Sequence, residues 1–251
     1  MNFFFKTKQN VLPLLNGFVD IHCHVLPGLD DGAKTVDDSR EMLSAYKKMQ
    51  VKKLIATPHI LKGTYPNTKT SIFDSYEKLN TALEKSTNIV EHAAAEHMLD
   101  EGFEQMLQEK SLLPLKDNYV LVEMSYFQKP VNLSELIFKM EHQGYVPVLA
   151  HPERYNFIKN MEEFRHLKKT GCLFQLNLLS LSKHYGEHVQ EKAKLLLKND
   201  FYDFAATDAH HSKHLEKISQ LSVPKKTYSK LEEIINRTVR VFSDEKGKIP
   251  N

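Results

Sequence analysis

The sequence predicts an α/β protein, folded as a distorted seven-stranded (β/α)7 barrel in a single domain, residues 1–251. Seven short apolar runs alternate with amphipathic helical patterns, and no internal repeat or Pro/Gly/Ser-rich linker divides the chain. Strands that alternate with helices are typical of a parallel sheet. The length of 251 residues also suits one β/α barrel. An open, doubly wound sheet is the alternative fold.

The seven predicted strands are rich in Val, Ile and Phe, as strands buried on both faces of a parallel sheet usually are. They are residues 17–23, 53–57, 89–95, 119–124, 145–150, 172–177 and 203–207. The alanines of the third run would suit a helix as well as a strand.

Capping residues mark the predicted helices. Thr35 and Asp38 form the N-cap pair that would open the first helix. Apolar residues recur with helical spacing over 133–140, and Gly144 follows as the expected C-terminal cap. The apolar pattern at 231–239 predicts the last helix.

The two ends of the chain are expected to lie outside the barrel. Residues 1–15 are interpreted as an N-terminal extension and 241–251 as a polar tail that frays. Phe3 to Phe5 are expected to pack on the barrel, with a membrane or partner contact as the alternative. This run is too short for a signal peptide core, and no stretch of about 18 apolar residues occurs. We therefore expect a cytoplasmic protein without stable membrane insertion.

Charge and cysteine content exclude several classes of protein. The net charge of +2, from 34 basic and 32 acidic residues, gives no general case for nucleic-acid binding. Two cysteines, Cys23 and Cys172, are too few for a Cys-rich zinc site. A cysteine-nucleophile phosphatase needs an arginine six residues after the cysteine, but Leu29 and Leu178 occupy those positions.

Six of the seven predicted strands end at a candidate metal ligand. The carboxyl ends of the strands share one face of a β/α barrel, so these residues would converge. Histidine is the commonest metal ligand, and the chain has 13. The strand-end candidates are His22, His24, His59, Glu96, Glu123, His151, Asp208 and His210.

The spacing of the histidines in the first strand supports a shared metal. Side chains alternate along a strand, so His22 and His24 point to the same side and Cys23 to the opposite side. Cys23 is therefore interpreted as a packed core thiol. Asp208 and His210 repeat the same spacing after the last strand.

Asp31 is a ninth candidate ligand, because the glycines of the loop 28–32 suit a turn that returns its carboxylate to the site. Each candidate also has an ordinary interpretation. Asp31 could form an Asx-turn, His59 could be a cap or surface residue, and Glu96 and Glu123 could be ion-paired strand ends. The presence of a candidate ligand at six strand ends together favours a metal site.

The ligand types indicate which metals would bind. Imidazole and carboxylate without thiolate suit Mn²⁺, Fe or Zn²⁺. Nine ligands exceed the coordination of one metal. Two or three divalent ions are therefore expected, with a carboxylate such as Glu123 as a bridge.

These motifs resemble the polymerase-and-histidinol-phosphatase (PHP) superfamily. More narrowly, they resemble the bacterial manganese-dependent protein-tyrosine phosphatases of capsule and exopolysaccharide operons. The resemblance spans residues 22–210. Its motifs are Asp-Ile-His-Cys-His at 20–24, Leu-Asp-Asp-Gly at 29–32, Thr-Pro-His at 57–59, His-Pro-Glu-Arg-Tyr at 151–155 and Asp-Ala-His at 208–210.

The resemblance implies a trinuclear site, a phosphate-binding arginine at Arg154 and a distorted seven-stranded barrel. The ordinary alternative for Arg154 is a surface salt bridge with Glu153. The substrates implied are autophosphorylated tyrosine kinases that control polysaccharide export. The metal ligands implied are His22, His24, Asp31, His59, Glu96, Glu123, His151, Asp208 and His210.

Three other functions remain open from the sequence. They are hydrolysis of a small ester such as histidinol phosphate, a metal-dependent nuclease, and a non-catalytic metal-binding module. The loops 63–70 and 180–186 are expected to line or cover the cleft. The remaining histidines are interpreted as surface, capping or outer residues of the site, with a substrate-side role as an alternative for His211 and His214.

Overall fold

The structure, a computed structural model, describes residues 7–83 and 88–243. The strands in this part of the chain are β1 (Lys8–Asn10), β2 (Val19–Cys23), β3 (Lys53–Ala56), β4 (His59–Ile60), β5 (Val90–Ala93), β6 (Glu96–Met98), β7 (Tyr119–Glu123), β8 (Val146–Ala150), β9 (Leu173–Asn177), β10 (Phe204–Ala206) and β11 (Ser222–Pro224). The helices are α1 (Val36–Lys48), α2 (Lys69–Ala82), α3 (Glu101–Gln108), α4 (Leu133–His142), α5 (Met161–Lys169), α6 (Glu187–Lys198), α7 (Ser212–Ser219) and α8 (Lys225–Phe242).

The predicted caps are present. The Thr35 side chain accepts from the backbone N–H of Asp38, and the Asp38 side chain accepts from that of Thr35, which closes a capping box at the start of α1. Gly144 lies just after the end of α4 with φ of +84°, a conformation that glycine adopts without steric cost.

Every predicted strand segment contains a strand, and these strands pair in parallel. The larger sheet has the order β10-β9-β8-β7-β6-β4, and a second sheet has the order β2-β3-β5. The prediction of an α/β fold with parallel strands is therefore confirmed. Apart from β1 and β11, the described strands form two parallel sheets, not one continuous closed sheet.

The division has a local cause that strand patterns did not predict. The third predicted strand, 89–95, ends at Ala93 and resumes as β6, while β3 is followed after Pro58 by the short strand β4. Proline has no N–H to donate to a ladder, so a strand usually breaks there. The Ala94 N–H still donates to Ala56 O at 2.8 Å, and the Glu96 N–H to Pro58 O at 3.1 Å. Backbone hydrogen bonds thus connect the two parallel sheets across the break.

The opposite edge of the smaller sheet meets the end of β10. The Asp208 N–H donates to His22 O at 2.8 Å, and the His24 N–H donates to Ala209 O at 3.0 Å. A cluster of buried apolar residues from β2, β3, β7, β8 and β10, including Val19 and Leu121, packs together on the sheets. The strand ends above this core carry the polar residues of the candidate site.

Part of the predicted N-terminal extension is ordered against the last elements. β1 pairs antiparallel with β11, and Leu15 is fully buried. Phe3 to Phe5 lie outside the described residues, as do residues 244–251 of the predicted tail. Helix α8 continues to the buried Phe242, so the first residues of that predicted tail are helical. Among the described residues, no helix is long and apolar enough to cross a membrane.

Candidate metal centre

The structure brings the predicted ligands together at the strand ends. Eight of them form three overlapping groups, in each of which the ligand atoms lie within 4.8 Å of one another. The ninth, His151, adjoins them, with Nε2 3.0 Å from Glu96 Oε1. The three groups are His22, His24, Glu96 and Asp208; His59, Glu96 and Glu123; and His24, Asp31, His59 and His210.

The first group lies at the carboxyl ends of β2 and β10 and at the start of β6, and it is buried. The Nε2 atoms of His22 and His24 are 3.2 Å apart. Each lies 3.3 Å from Asp208 Oδ1, and Glu96 Oε2 lies 3.1 Å from His22 Nε2 and 3.5 Å from His24 Nε2. Four ligand atoms therefore surround one point.

Hydrogen bonds fix which ring nitrogens of these histidines face that point. Gln175 Oε1 lies 3.0 Å from His22 Nδ1, while its Nε2 donates to Leu176 O, so the amide presents an acceptor to the ring. Asp30 Oδ2 lies 2.7 Å from His24 Nδ1. Both Nδ1 atoms must then donate, so in the neutral form that binds a metal each ring turns its Nε2 lone pair towards the other ring. Outer partners of this kind orient metal-binding histidines.

The other two groups centre on His59, at the start of β4. His59 Nδ1 lies 2.8 Å from Glu123 Oε1 and 3.1 Å from Glu96 Oε2. On the other side of the ring, Asp31 Oδ1 lies 3.4 Å from both His59 Nε2 and His210 Nε2. His59 therefore belongs to two groups, one buried and one open to the cleft.

Unsatisfied polar atoms indicate that these groups fit a cation. Four buried side-chain atoms of the cluster have no hydrogen-bond partner: His59 Nδ1, Glu96 Oε2, Glu123 Oε1 and His151 Nδ1. His59 Nδ1 and Glu123 Oε1 are close, but their geometry is not that of a hydrogen bond. Ligands about 2.1 Å from one ion lie about 3 Å from each other at right angles, which matches the distances above. The donor set therefore suits divalent ions.

Burial lowers the pKa of His22, His24 and His59, but the neighbouring carboxylates raise it more, which favours the protonated rings. Burial would lower the pKa of His24, but the Asp30 carboxylate beside it raises that pKa to about 10. Burial would raise the pKa of Glu96, but His22 holds it well below its usual value. Burial and the charge of Glu96 raise the pKa of Glu123. A divalent cation would take the place of these protons, since metal ligands bind in their deprotonated forms.

Arg154 lies beside the cluster and pairs with Asp208, not with Glu153. Its Nη1 donates to Asp208 Oδ2 at 2.7 Å. The rings of Tyr126 and Tyr185 lie 4.7 and 4.4 Å from the Arg154 guanidinium carbon. The alternative salt bridge with Glu153 is wrong, because Glu153 is buried and accepts from the Asn177 N–H and the Tyr202 hydroxyl.

Several residues that position the ligands were missed from the sequence. Asp30 was the easiest of them to predict, because it lies next to Asp31 in the sequence. Its buried carboxylate also accepts from the Gly32 and His59 N–H groups. Gly32 itself is required, because a Cβ there would lie 2.2 Å from His24 O. Gln175, Asn177, Tyr126 and Tyr185 carry no such local signal.

A second missed network joins β2 to the end of β10. The buried Asp20 accepts from the Thr207 N–H at 3.0 Å and from the hydroxyls of Thr207 and Tyr46. Asp20 precedes His22 by two residues, and Thr207 precedes Asp208. This network therefore sets the position of His22 relative to Asp208.

The candidate metal centre opens into a cleft of about 690 Å³ that His59, Asp31 and Glu123 line at its inner end. Of the two loops predicted to line or cover it, 63–70 lines the cleft, whereas 180–186 contacts Arg154 and is not among the described residues that line the cleft. Tyr65, from the loop 63–70, stacks on His59 at 5.6 Å, and Tyr185, from the loop 180–186, stacks on Arg154.

His184, His211 and His214 form a second cluster of histidines beside His210. The His214 ring lies 3.9 Å from that of His211 and 4.9 Å from that of His184. His214 Nδ1 accepts from the His210 N–H at 3.4 Å, so it touches the backbone of a candidate ligand.

An α/β fold with overlapping groups of imidazole and carboxylate ligands at its strand ends defines a candidate metalloenzyme. A family model described as capsular polysaccharide synthesis, CpsB/CapC, matches residues 18–236, and the chain belongs to this family. The resemblance inferred from the sequence motifs is thereby confirmed.

Individual relatives agree with this assignment. The tyrosine-protein phosphatase YwqE of Bacillus subtilis is 33% identical over 198 residues, which cover 78% of each chain. The tyrosine-protein phosphatase CpsB of Streptococcus pneumoniae is 29% identical over 205 residues, which cover 77% of this chain and 83% of the relative. A crystal structure from work on YwqE and CpsB, described as unique metal-dependent tyrosine phosphatases, superposes with a TM-score of 0.74 at 29% identity, covering 88% of this chain and 94% of that one.

Proposed function

We propose that this protein is a metal-dependent protein-tyrosine phosphatase. The observation that carries the proposal is the convergence of the nine ligands beside Arg154, in a chain whose relatives are named tyrosine-protein phosphatases. The reaction cleaves the bond between phosphorus and the tyrosine oxygen. The oxygen of water is transferred to phosphorus, and the products are inorganic phosphate and tyrosine.

The three overlapping ligand groups would hold two or three ions. Glu96, His59 and His24 each belong to two groups, so the sites that these groups would form adjoin one another. Manganese is the ion we favour, with Fe or Zn²⁺ as alternatives, because imidazole and carboxylate suit all three. When bound, such ions lower the pKa of water and neutralise negative charge on the phosphoryl group.

The protein's own residues bind and orient the phosphate. Arg154 has a planar guanidinium that can bind two oxygens, and Asp208 and two tyrosine rings hold it in place. Gln175 and Asp30 keep the Nε2 atoms of His22 and His24 turned inward. A tyrosine phenol has a pKa of about 10, so it leaves with less need for a strong general acid than an alkyl alcohol would.

We also propose that the fold is a distorted seven-stranded barrel. The hydrogen bonds that connect the two parallel sheets at both edges of the smaller one support a distorted seven-stranded barrel, with the pairs β3/β4 and β5/β6 each interpreted as one bent strand. We interpret residues 1–251 as a single domain built on this barrel.

We further propose a tyrosine kinase that controls capsule or exopolysaccharide export as the protein substrate. The family's association with capsular polysaccharide synthesis supports this choice. The reaction would take place in the cytoplasm.

The test is phosphate release from a phosphotyrosyl peptide, with Mn²⁺ and with a chelator, beside a phosphoseryl peptide of the same sequence. We expect turnover that requires the metal and favours phosphotyrosine. Turnover of small esters such as histidinol phosphate alone would retain the site and reject the protein substrate. Metal binding without turnover of any ester would indicate a non-catalytic module.

A further inference from the structure

The loop that follows β7 exposes large apolar side chains beside the candidate metal centre. Glu123 ends β7, and α4 begins at Leu133. Between them, Phe127 is 95% exposed and Val131 is fully exposed. Ser125 Oγ accepts from the Phe127 N–H at 3.2 Å, a short turn of the kind that serine forms in loops. Single exposed apolar residues are ordinary, but here two belong to one short loop at a cleft.

The cleft is continuous between this loop and the metal centre. Glu123 and His59 line its inner end, and Phe127 and Val131 line another part of the same wall. Its volume of about 690 Å³ lies in the range of roughly 300–1,000 Å³ that holds a whole small ligand. It therefore has room for residues beyond the phosphotyrosine side chain itself.

Another part of the cleft wall is acidic. Asp100, Glu101 and Glu104 line it at the start of α3. Lys62 pairs with Glu101 and Lys139 with Glu104, so three carboxylates face two ammonium groups. This excess of negative charge disfavours acidic residues next to the phosphotyrosine.

We propose that the loop 125–132 is a docking surface for the polypeptide that flanks the phosphotyrosine, and that it selects apolar flanking residues. The inference rests on the proposed phosphatase function. The occupant follows from continuity with the metal centre, because a segment whose phosphate reaches the metals lies along the cleft that Phe127 and Val131 line. A small aryl phosphate is too short to use these side chains.

The experiment compares substrates that reach the loop with one that does not. The variant is the double substitution Phe127→Ala and Val131→Ala, and the matched control is Phe138→Ala, since Phe138 is 67% exposed on α4 and is not among the described residues that line the cleft. The substrates are p-nitrophenyl phosphate and two phosphotyrosyl peptides of equal length, one with Leu and Val flanks and one with Gly and Ser flanks, each assayed with Mn²⁺.

We expect wild-type protein to prefer the apolar-flanked peptide. The double variant should lose this preference through a rise in KM of about tenfold, the cost of truncating a buried anchor at an interface. Its kcat/KM for p-nitrophenyl phosphate, and all rates of Phe138→Ala, should stay at wild-type values. Equal losses on all three substrates, or no loss on either peptide, would overturn the docking role.

Two further measurements separate the remaining outcomes. Binding of the same peptides with a non-hydrolysable phosphonate in place of phosphate gives the comparison without turnover. If the wild type hydrolyses nothing but still binds in a Phe127-dependent way, the proposed function fails and the docking surface stands. If the double variant changes the molecular mass in light scattering and leaves peptide binding unchanged, the loop joins copies of this chain and the proposal is wrong.

Discussion

Asp208 connects Arg154 to the candidate metal centre. Its Oδ2 accepts from Arg154 Nη1 at 2.7 Å and from Asn177 Nδ2 at 2.8 Å. Its Oδ1 lies 3.3 Å from the Nε2 atoms of both His22 and His24. One carboxylate therefore faces the ligands with one oxygen and orients the arginine with the other, so metal binding and phosphate binding share a residue.

Loss of the guanidinium should remove phosphate binding and leave the metals in place. We expect Arg154→Ala to lower kcat/KM for a phosphotyrosyl peptide about 100- to 1,000-fold, as removal of one transition-state donor does. Arg154→Lys should recover only part of this, because an ammonium lacks the planar fork. Steady-state kinetics and metal analysis test it, with Arg165→Ala on the exposed face of α5 as the control. Wild-type turnover by Arg154→Ala would rule out the assignment.

Loss of the carboxylate shared by two ligand groups should release metal. Glu96 Oε2 lies 3.1 Å from both His22 Nε2 and His59 Nδ1. We expect Glu96→Gln to bind at least one ion fewer per chain and to lose much of the rise in Tm that Mn²⁺ gives, since a ligand stabilises the folded state it binds. Metal analysis after dialysis and thermal unfolding measure this, with the exposed Glu216→Gln as control. Full metal content in Glu96→Gln would contradict the prediction.

The ring of Tyr185 should strengthen phosphate binding by holding Arg154 in position. Tyr185→Leu removes a cation–π contact worth about 0.5–2 kcal/mol, so competitive inhibition by inorganic phosphate should weaken by about 2- to 30-fold with metal content unchanged. Tyr185→Phe keeps the ring and loses only the contact between its hydroxyl and Asn177, so it should stay within about threefold of wild type. A purely structural role would affect metal content and phosphate inhibition together.

Stability should fall in mild acid because His97 is held neutral. Its Nδ1 donates to Leu121 O at 3.0 Å, and its Nε2 accepts from the Leu113 N–H at 3.2 Å. Burial lowers its pKa from 6.5 to about 4. Below about pH 6.5 the unfolded chain therefore binds more protons than the folded chain. The stabilisation of the folded state by neutral His97 is complete above about pH 6.5. It is lost as the pH falls towards 4, which lowers the free energy of unfolding by up to about 3 kcal/mol.

The measurement is urea unfolding of the metal-free protein between about pH 4 and pH 7. The difference in unfolding free energy between wild type and His97→Asn should shrink as the pH falls. His166→Asn, at an exposed position on α5, should show no such change. A pH-independent difference for His97→Asn would show that His97 does not titrate in this range.

The sequence by itself determined the positions of the principal strands and the residues at their ends. Buried parallel strands leave continuous apolar runs, and a polar residue near the end of such a run stands out locally, as His59 and Glu123 do. The alternation of side chains in β2 likewise predicted that His22 and His24 share a side. These signals span only a few residues, so they can be recognised in a single sequence without the structure.

Only the tertiary structure decided how these strands divide into sheets and what surrounds the ligands. The pairing of β1 with β11 and the hydrogen bond from the Thr207 N–H to Asp20 join residues about two hundred positions apart. Gln175 and the tyrosines around Arg154 look like ordinary strand and loop residues until the chain is folded. Their roles depend on distances between separate elements, and residue type and local spacing carry no record of those distances.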